Sequence, residues 1–223
     1  MNVLVITEYY PPYIKGGCEI ACHDFVEALE KKGLSVTILT GKYGLDKEKV
    51  DGNVYRILKT ASISPYTFFT SSRFNLNRVL LYQAFYYLNY SRTSALLKKK
   101  HFDLAYAWRL QNVTLAPFRV VTDAGLKTIF HIEDYWLLNT VQWLTKNYKF
   151  LRQLLLRVQT EKLTQSPMIF LSQSVKKAYK ELFPESLKAP VETVGKAPNT
   201  KKQFKKGIPK RCLDSRSSLT SQL

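Results

Sequence analysis

Two rhythms of apolar and polar positions alternate along this chain. Asn2 to Thr7 is a short, β-branched-rich run that predicts a buried strand, and it ends at a loop carrying Pro11, Pro12, Gly16 and Gly17. From Glu19 the spacing becomes helical, with Ala21, Phe25, Ala28 and Leu29 on one face and Asp24, Glu27 and Lys31 on others, until Gly33 closes the helix. Ser35 to Thr40 predicts a second strand. The segment up to Thr40 is therefore a βαβ unit, for which a right-handed crossover and parallel strands are expected. Val54 to Leu58 predicts another strand. Asn75 to Lys99 predicts a long helix crowded with Leu80, Leu81, Phe85, Tyr86, Tyr87 and Leu88, whose aromatics are expected to pack inward. Asp103 to Ala107 and Lys127 to Ile132 predict two more buried strands, with a helix started or broken near Pro117 between them. Tyr148 to Thr164 is amphipathic and Met168 to Leu171 predicts a short strand. Ser174 stands where an N-cap belongs before Val175, Ala178, Tyr179 and Leu182, and Pro184 ends that helix.

This alternation over residues 1–187 predicts the α/β class: an open, mostly parallel, Rossmann-like sheet with helices on both faces. Such sheets take their ligands at the carboxyl ends of the strands. Beyond Lys188 the periodicity disappears, so residues 188–223 are expected to be a basic tail too polar to order itself. No apolar run approaches the roughly 20 residues of a membrane span. The start, Met1-Asn2 running straight into Val3-Leu4-Val5-Ile6, lacks the parts of a signal peptide, and a cytoplasmic location is expected. Cys18, Cys22 and Cys212 form no paired framework and bring no second ligand pair, so they are read as reduced thiols and no metal is expected.

Charge changes the picture. The formal net charge of the 223 residues is +17, which attracts anions such as phosphorylated substrates or acidic lipid. From Lys188 onward the net is +7, so the body carries +10 of its own. Nucleic acid has only this charge in its favour, since no helix-turn-helix, aromatic RNA-binding signature or zinc site accompanies it.

The loop Glu8-Tyr-Tyr-Pro-Pro-Tyr-Ile-Lys-Gly-Gly-Cys-Glu19 places Gly16 and Gly17 before a helix, where backbone amides can approach a phosphate with no side chain in the way. It is neither a G-x-G-x-x-G fingerprint nor a Walker loop. On physics alone, two such glycines serve equally as a flexible turn. The order of pieces is more specific than any piece. Pro11-Pro12, Gly16-Gly17-Cys18-Glu19, Ala28-Leu29, Gly33 and Val36-Thr37-Ile38-Leu39-Thr40 follow one another. Asp134-Tyr135-Trp136-Leu137-Leu138 comes after the fifth predicted strand, and Ile169-Phe170-Leu171-Ser172-Gln173-Ser174 leads into Tyr179. Over residues 1 to about 186 this resembles the N-terminal domain of glycosyltransferases of the GT-B architecture, family 4 type.

That resemblance implies a domain that binds the acceptor while a second, C-terminal α/β domain binds a nucleotide sugar, with transfer in the cleft between them and no metal or other cofactor. Amides around Gly16 and Gly17 would approach the donor diphosphate, flanked by Lys15 and Glu19. The family's cleft-facing His of a His-Asp-Tyr-Trp motif falls on Glu133 here, with His131 two residues earlier on the same side of the strand. Glu133 and Asp134 are thus the candidate catalytic acids, able to accept a hydroxyl proton or bind a sugar hydroxyl; equally they are loop-forming or helix-starting acids. Trp108 and Arg109 end a strand at the crevice, where stacking on a sugar and pairing with an anion are plausible roles, against a capping Trp and a solvated Arg. Trp136 enters through the family motif. The spacing Glu19-x7-Glu27 matches the family's donor motif but sits in the wrong domain. The true donor domain is expected outside this sequence, on a continuation or a separate chain, and the chain alone is expected to be inactive.

The stretch around Lys149, Arg152 and Arg157 sets a basic side against Phe150, Leu151, Leu154, Leu155 and Val158. That pattern suits an acidic membrane surface or a helix packed on the sheet. The expected partners are a nucleotide sugar and a glycan or lipid-linked acceptor. The alternative is a non-catalytic module that binds anions or membrane, or the acceptor subunit of a split transferase.

Overall fold

A computed structural model describes residues 1–42, 45, 47–60, 76–138, 166–182 and 191–193. The strands are β1 (Asn2–Thr7), β2 (Ser35–Gly41), β3 (Lys49–Asp51), β4 (Val54–Leu58), β5 (Leu104–Ala107), β6 (Thr128–Ile132), β7 (Met168–Phe170) and β8 (Val191–Thr193). The helices are α1 (Gly17–Lys31), α2 (Leu76–Lys99), α3 (Ala116–Asp123) and α4 (Gln173–Leu182). The strands join in one eight-stranded sheet, order β3-β4-β2-β1-β5-β6-β7-β8. Every pairing is parallel except the edge hairpin β3–β4, whose turn Gly52 makes at φ 57°. This is the expected α/β, Rossmann-like class.

Central strands buried on both sides explain the continuous apolar runs. In β1, Leu4 and Ile6 face a core shared with Leu39, Leu58, Tyr82 and Leu96 of α2, Phe118 and Val121 of α3, and Tyr179 of α4. Val3 and Val5 face the opposite core with Val36, Ile38, and Cys22 and Val26 of α1. Each such fully buried aliphatic side chain contributes roughly 1.5–3 kcal/mol. Helices therefore lie on both faces, with α1 alone on the second among the described residues.

Several expectations shift. The buried face of α1 is Cys22, Val26 and Glu19, with Phe25 and Leu29 packed beside them, while Ala21 and Ala28 are exposed. The sheet has room for the larger side chains, and alanines bury too little to set the phase. In α2, Tyr82, Tyr86, Asn89, Thr93 and Leu96 point inward at spacings of three and four, whereas Tyr87 is 69% exposed and Leu80, Leu81 and Leu88 also face out. A helix apolar all round can bury only one arc. The fully buried Asn89 accepts from Lys59 N (2.7 Å) and donates to the carbonyls of Lys59 (3.0 Å) and Val113 (2.6 Å), which ties the end of β4 to the loop after β5. The cap of α4 is Ser172, whose Oγ accepts from Val175 N at 3.3 Å, two residues before the expected Ser174.

Two strands were not anticipated. All three residues of β3 are exposed, so no apolar alternation marks them. β8 pairs in parallel with β7 inside the stretch assigned to the tail. Pro184, the amphipathic stretch from Tyr148 to Thr164 with Lys149, Arg152 and Arg157, and the rest of residues 194–223 lie outside the described residues. No helix of the described residues is long and apolar enough to cross a membrane.

Candidate functional site at the switch point of the sheet

From β1 the chain moves to β2 on one side of the sheet, and the later strand β5 takes the other side. The loops after β1 and β5 therefore part above a crevice at the carboxyl ends of the strands, the usual ligand position in an open α/β sheet. Backbone bonds stitch its floor: Trp108 N to Ile6 O (2.8 Å), Glu8 N to Arg109 O (2.8 Å) and Gly41 N to Glu8 O (3.2 Å).

Glu8 is the residue the sequence reading passed over. It is 2% exposed, directly after β1, and its carboxylate accepts Asn112 N–H at Oε2 (2.8 Å) and faces Arg109 Nε at Oε1 (3.2 Å). Burial pushes its pKa up to about 7, against the pull of Arg109 and the Asn112 amide. An acid shortly after the apolar run Val3-Leu4-Val5-Ile6 was the available signal. What it meets is 101 positions or more away in sequence, and only the sheet brings the two together.

Arg109 gathers the polar groups of three loops. Besides Glu8 it reaches Gln111 Oε1 (2.6 Å), Cys18 Sγ on α1 (3.3 Å) and Asp134 Oδ2 after β6 (3.7 Å). Its guanidinium is thus engaged with two carboxylates and is not a free anion receptor. Asp134 also accepts Trp136 N–H at Oδ1 (2.8 Å), so it starts the short turn that follows β6. Trp136 is buried in the core with Phe130 and Ile132 and does not line the crevice.

Glu133 accepts the indole N–H of Trp108 at Oε1, 2.7 Å. Burial raises its pKa; the nearby Cys18 thiol, the Trp108 N–H and the charge of Arg109 pull the other way, and Asp134 adds to the rise. Cys18 itself is pushed up to about 12, first by burial and then by Glu133, so its thiol stays protonated. Trp108 offers no open face to a sugar. It is 4% exposed, stacked on His131 at 4.1 Å and flanked by Phe25 at 5.5 Å. His131 is also buried; Tyr106 Oη meets its Nδ1 at 2.8 Å, and desolvation lowers its pKa to about 4, which keeps the ring neutral. Trp108 thus holds Glu133 through its N–H, and His131 packs on Trp108.

The glycine loop is half filled. Gly16 caps α1, and Glu19 Oε2 accepts the amides of Gly16 (2.7 Å) and Lys15 (3.2 Å). Glu19 therefore does not flank a cradle of those amides; it occupies them, which is the reciprocal half of a capping box. Gly17 and Cys18 remain as the first helical residues, whose N–H groups have no intrahelical acceptor, and there is open space above Gly17. Lys15 Nζ lies on the Tyr9 ring (4.4 Å) and donates to its hydroxyl (3.0 Å). On the far side Arg56 of β4 holds the loop by donating to the carbonyls of Tyr10 (2.9 Å) and Pro11.

Glu8 and Asp134 thus pair with Arg109, Glu133 feels its charge, and Glu19 holds the Lys15 and Gly16 amides, so four carboxylates gather at the carboxyl end of the sheet. Among the described residues no group of three or more His, Cys, Asp or Glu side chains is placed to hold a metal ion. The fold and the crevice define a Rossmann-like α/β domain with a carboxylate-rich site at its switch point. No protein-family model and no curated protein matches this chain. Among solved structures it is similar to a UGT transferase from Siraitia grosvenorii in complex with UDP, with a TM-score of 0.47 and 10% identity, covering 93% of this chain and 54% of that one. The chain spans about half the length of that transferase.

Proposed function

We propose that this chain is the acceptor-side domain of a nucleotide-sugar-dependent hexosyltransferase of the GT-B, family 4 type, acting on a glycan or lipid-linked acceptor. The observation that carries the reading is the convergence of Glu133, Asp134, Arg109 and the Gly17 end of α1 at the switch point. The motif order Pro11-Pro12, Gly16-Gly17-Cys18-Glu19 and Asp134-Tyr135-Trp136 supports the same reading, because the resemblance implies cleft positions for Gly17 and Asp134.

The chemistry follows from the charges. Carboxylates at a crevice suit a polyhydroxyl acceptor better than an anion, because Glu133 and Asp134, the two that are only partly buried, can accept from sugar hydroxyls. Glu133, with its pKa raised by burial, is suited to take the proton of the attacking hydroxyl as a general base. Arg109 and Asp134 orient the acceptor beside it. The unpartnered helical amides at Gly17 and Cys18 provide preorganised donors where charge develops on the leaving diphosphate. The nucleotide sugar is co-substrate, its main binding wall is a donor domain, and no metal takes part in this scheme.

Saturation-transfer NMR on the purified chain tests the reading, with a panel of mono- and oligosaccharides, polyprenyl-linked sugars and nucleotide sugars, for wild type and Glu133→Gln with Asp134→Asn. Contact to a glycan acceptor that the double variant weakens at least tenfold is the expected result. Absence of any glycan contact, or contact untouched by the double variant, sinks it.

A further inference from the structure

A buried tryptophan usually finds a partner for its indole N–H, and that of Trp108 is Glu133. Here every side of the ring is committed. His131 stacks on it with ring planes 18° apart, Phe25 of α1 and Tyr106 of β5 lean on it at 5.5 and 5.7 Å, and the Tyr106 hydroxyl holds His131 at Nδ1. At 4% exposure in a packed interior, the ring is held in one rotamer. Its single polar atom, Nε1, is aimed at Glu133 Oε1 at 2.7 Å. A hydrogen bond of that length strengthens when its acceptor ionises.

The groups facing Glu133 come from every element around it: Cys18 from α1, Trp108 and Arg109 after β5, and Asp134 beside it. Burial opposes its charge and Asp134 adds to that, while Cys18, Trp108 and Arg109 favour the charge. Of these three, Arg109 is shared with Glu8, Gln111 and Asp134, and Cys18 is shared with Arg109. Trp108 gives its N–H to Glu133 from a fixed position.

We propose that Trp108 is a positioning residue for the transfer suggested above: it holds the Glu133 carboxylate in one orientation at the end of β6, and the Tyr106–His131 pair holds Trp108. The catalytic part of this inference rests on Glu133 acting on an acceptor hydroxyl. The coupling between the two side chains stands independently of it.

NMR pH titration of the full chain, labelled with 15N-Trp and 13C-Glu, separates the two. The indole signal lost in Trp108→Phe and the carboxyl signal lost in Glu133→Gln provide the assignments. In the wild type both signals are expected to titrate with one midpoint, and in Glu133→Gln, where Trp108 is intact, the indole signal stops responding. In Trp108→Phe the Glu133 midpoint moves up. An indole signal blind to the ionisation of Glu133, or unchanged in Glu133→Gln, overturns the proposal. In a transfer assay with a donor domain supplied, Trp108→Phe is expected to lower kcat roughly tenfold or more with KM within about twofold. A raised KM at unchanged kcat overturns the positioning role. Coupled titrations in a protein that binds no glycan would remove the transferase reading and leave the Trp108–Glu133 coupling in place.

Discussion

Glu8 and His131 should make stability respond to pH in opposite directions, and single substitutions should separate them. The folded chain holds Glu8 at a pKa of about 7 against an ordinary 4.5, so the native state keeps a proton that the unfolded chain releases. At about 1.4 kcal/mol per pH unit, this contributes about 3 kcal/mol that is present in full below pH 4.5 and lost as the pH rises through 7. His131 is held near 4 against 6.5, so the unfolded chain takes a proton that the native state refuses. That contributes about 3 kcal/mol present above pH 6.5 and lost as the pH falls through 4. Between pH 4.5 and 6.5 the two slopes oppose and nearly cancel, with Glu133 acting in the same direction as Glu8. Glu8→Gln keeps an acceptor for Asn112 and removes one slope, so its stability should climb by about 3 kcal/mol from pH 4 to 6.5. His131→Phe keeps the stack on Trp108 and should instead decline by about 3 kcal/mol from pH 4.5 to 7. Urea unfolding followed by tryptophan fluorescence at constant ionic strength reads both profiles. A Glu8→Gln profile that overlays the wild type from pH 4.5 to 7 would refute the reasoning.

Two further outcomes follow from the backbone around the crevice. A methyl group on Gly41 would meet the Glu8 carbonyl at 2.6 Å and the Thr60 side chain. Gly41→Ala is therefore expected to cost about 1–3 kcal/mol in urea unfolding, and an unchanged midpoint would show that the end of β2 yields freely. Glu19→Ala removes the acceptor for the amides of Lys15 and Gly16 and should cost about 1 kcal/mol, with faster amide exchange at those two positions as the local signature. Exchange as slow as in the wild type would mean that Glu19 does not hold the start of α1.

The sequence by itself determined the class of fold. Buried parallel strands need continuous apolar runs and surface helices need a periodic face, so β1, β2, β4 to β7, α1, α2 and α4 were legible within a residue or two at most ends, and α3 only by its start near Pro117. The glycine loop at the start of α1 was legible too, but not that Glu19 would take up the Lys15 and Gly16 amides as a cap. Elements that bury nothing left no trace. β3 is exposed throughout, and the phase of α1 could not be read from alanines that fit either side. The site itself was decided by tertiary structure. Glu8 acquires its proton affinity from burial and from Arg109; Trp108 changes from an open platform to a clamp on Glu133; and Trp136 turns into the core. Each of these depends on which strand ends are neighbours. Hydrophobic periodicity acts over a few residues, whereas desolvation and ion pairing act over a few ångströms between loops that the sheet order β2-β1-β5-β6 alone sets side by side.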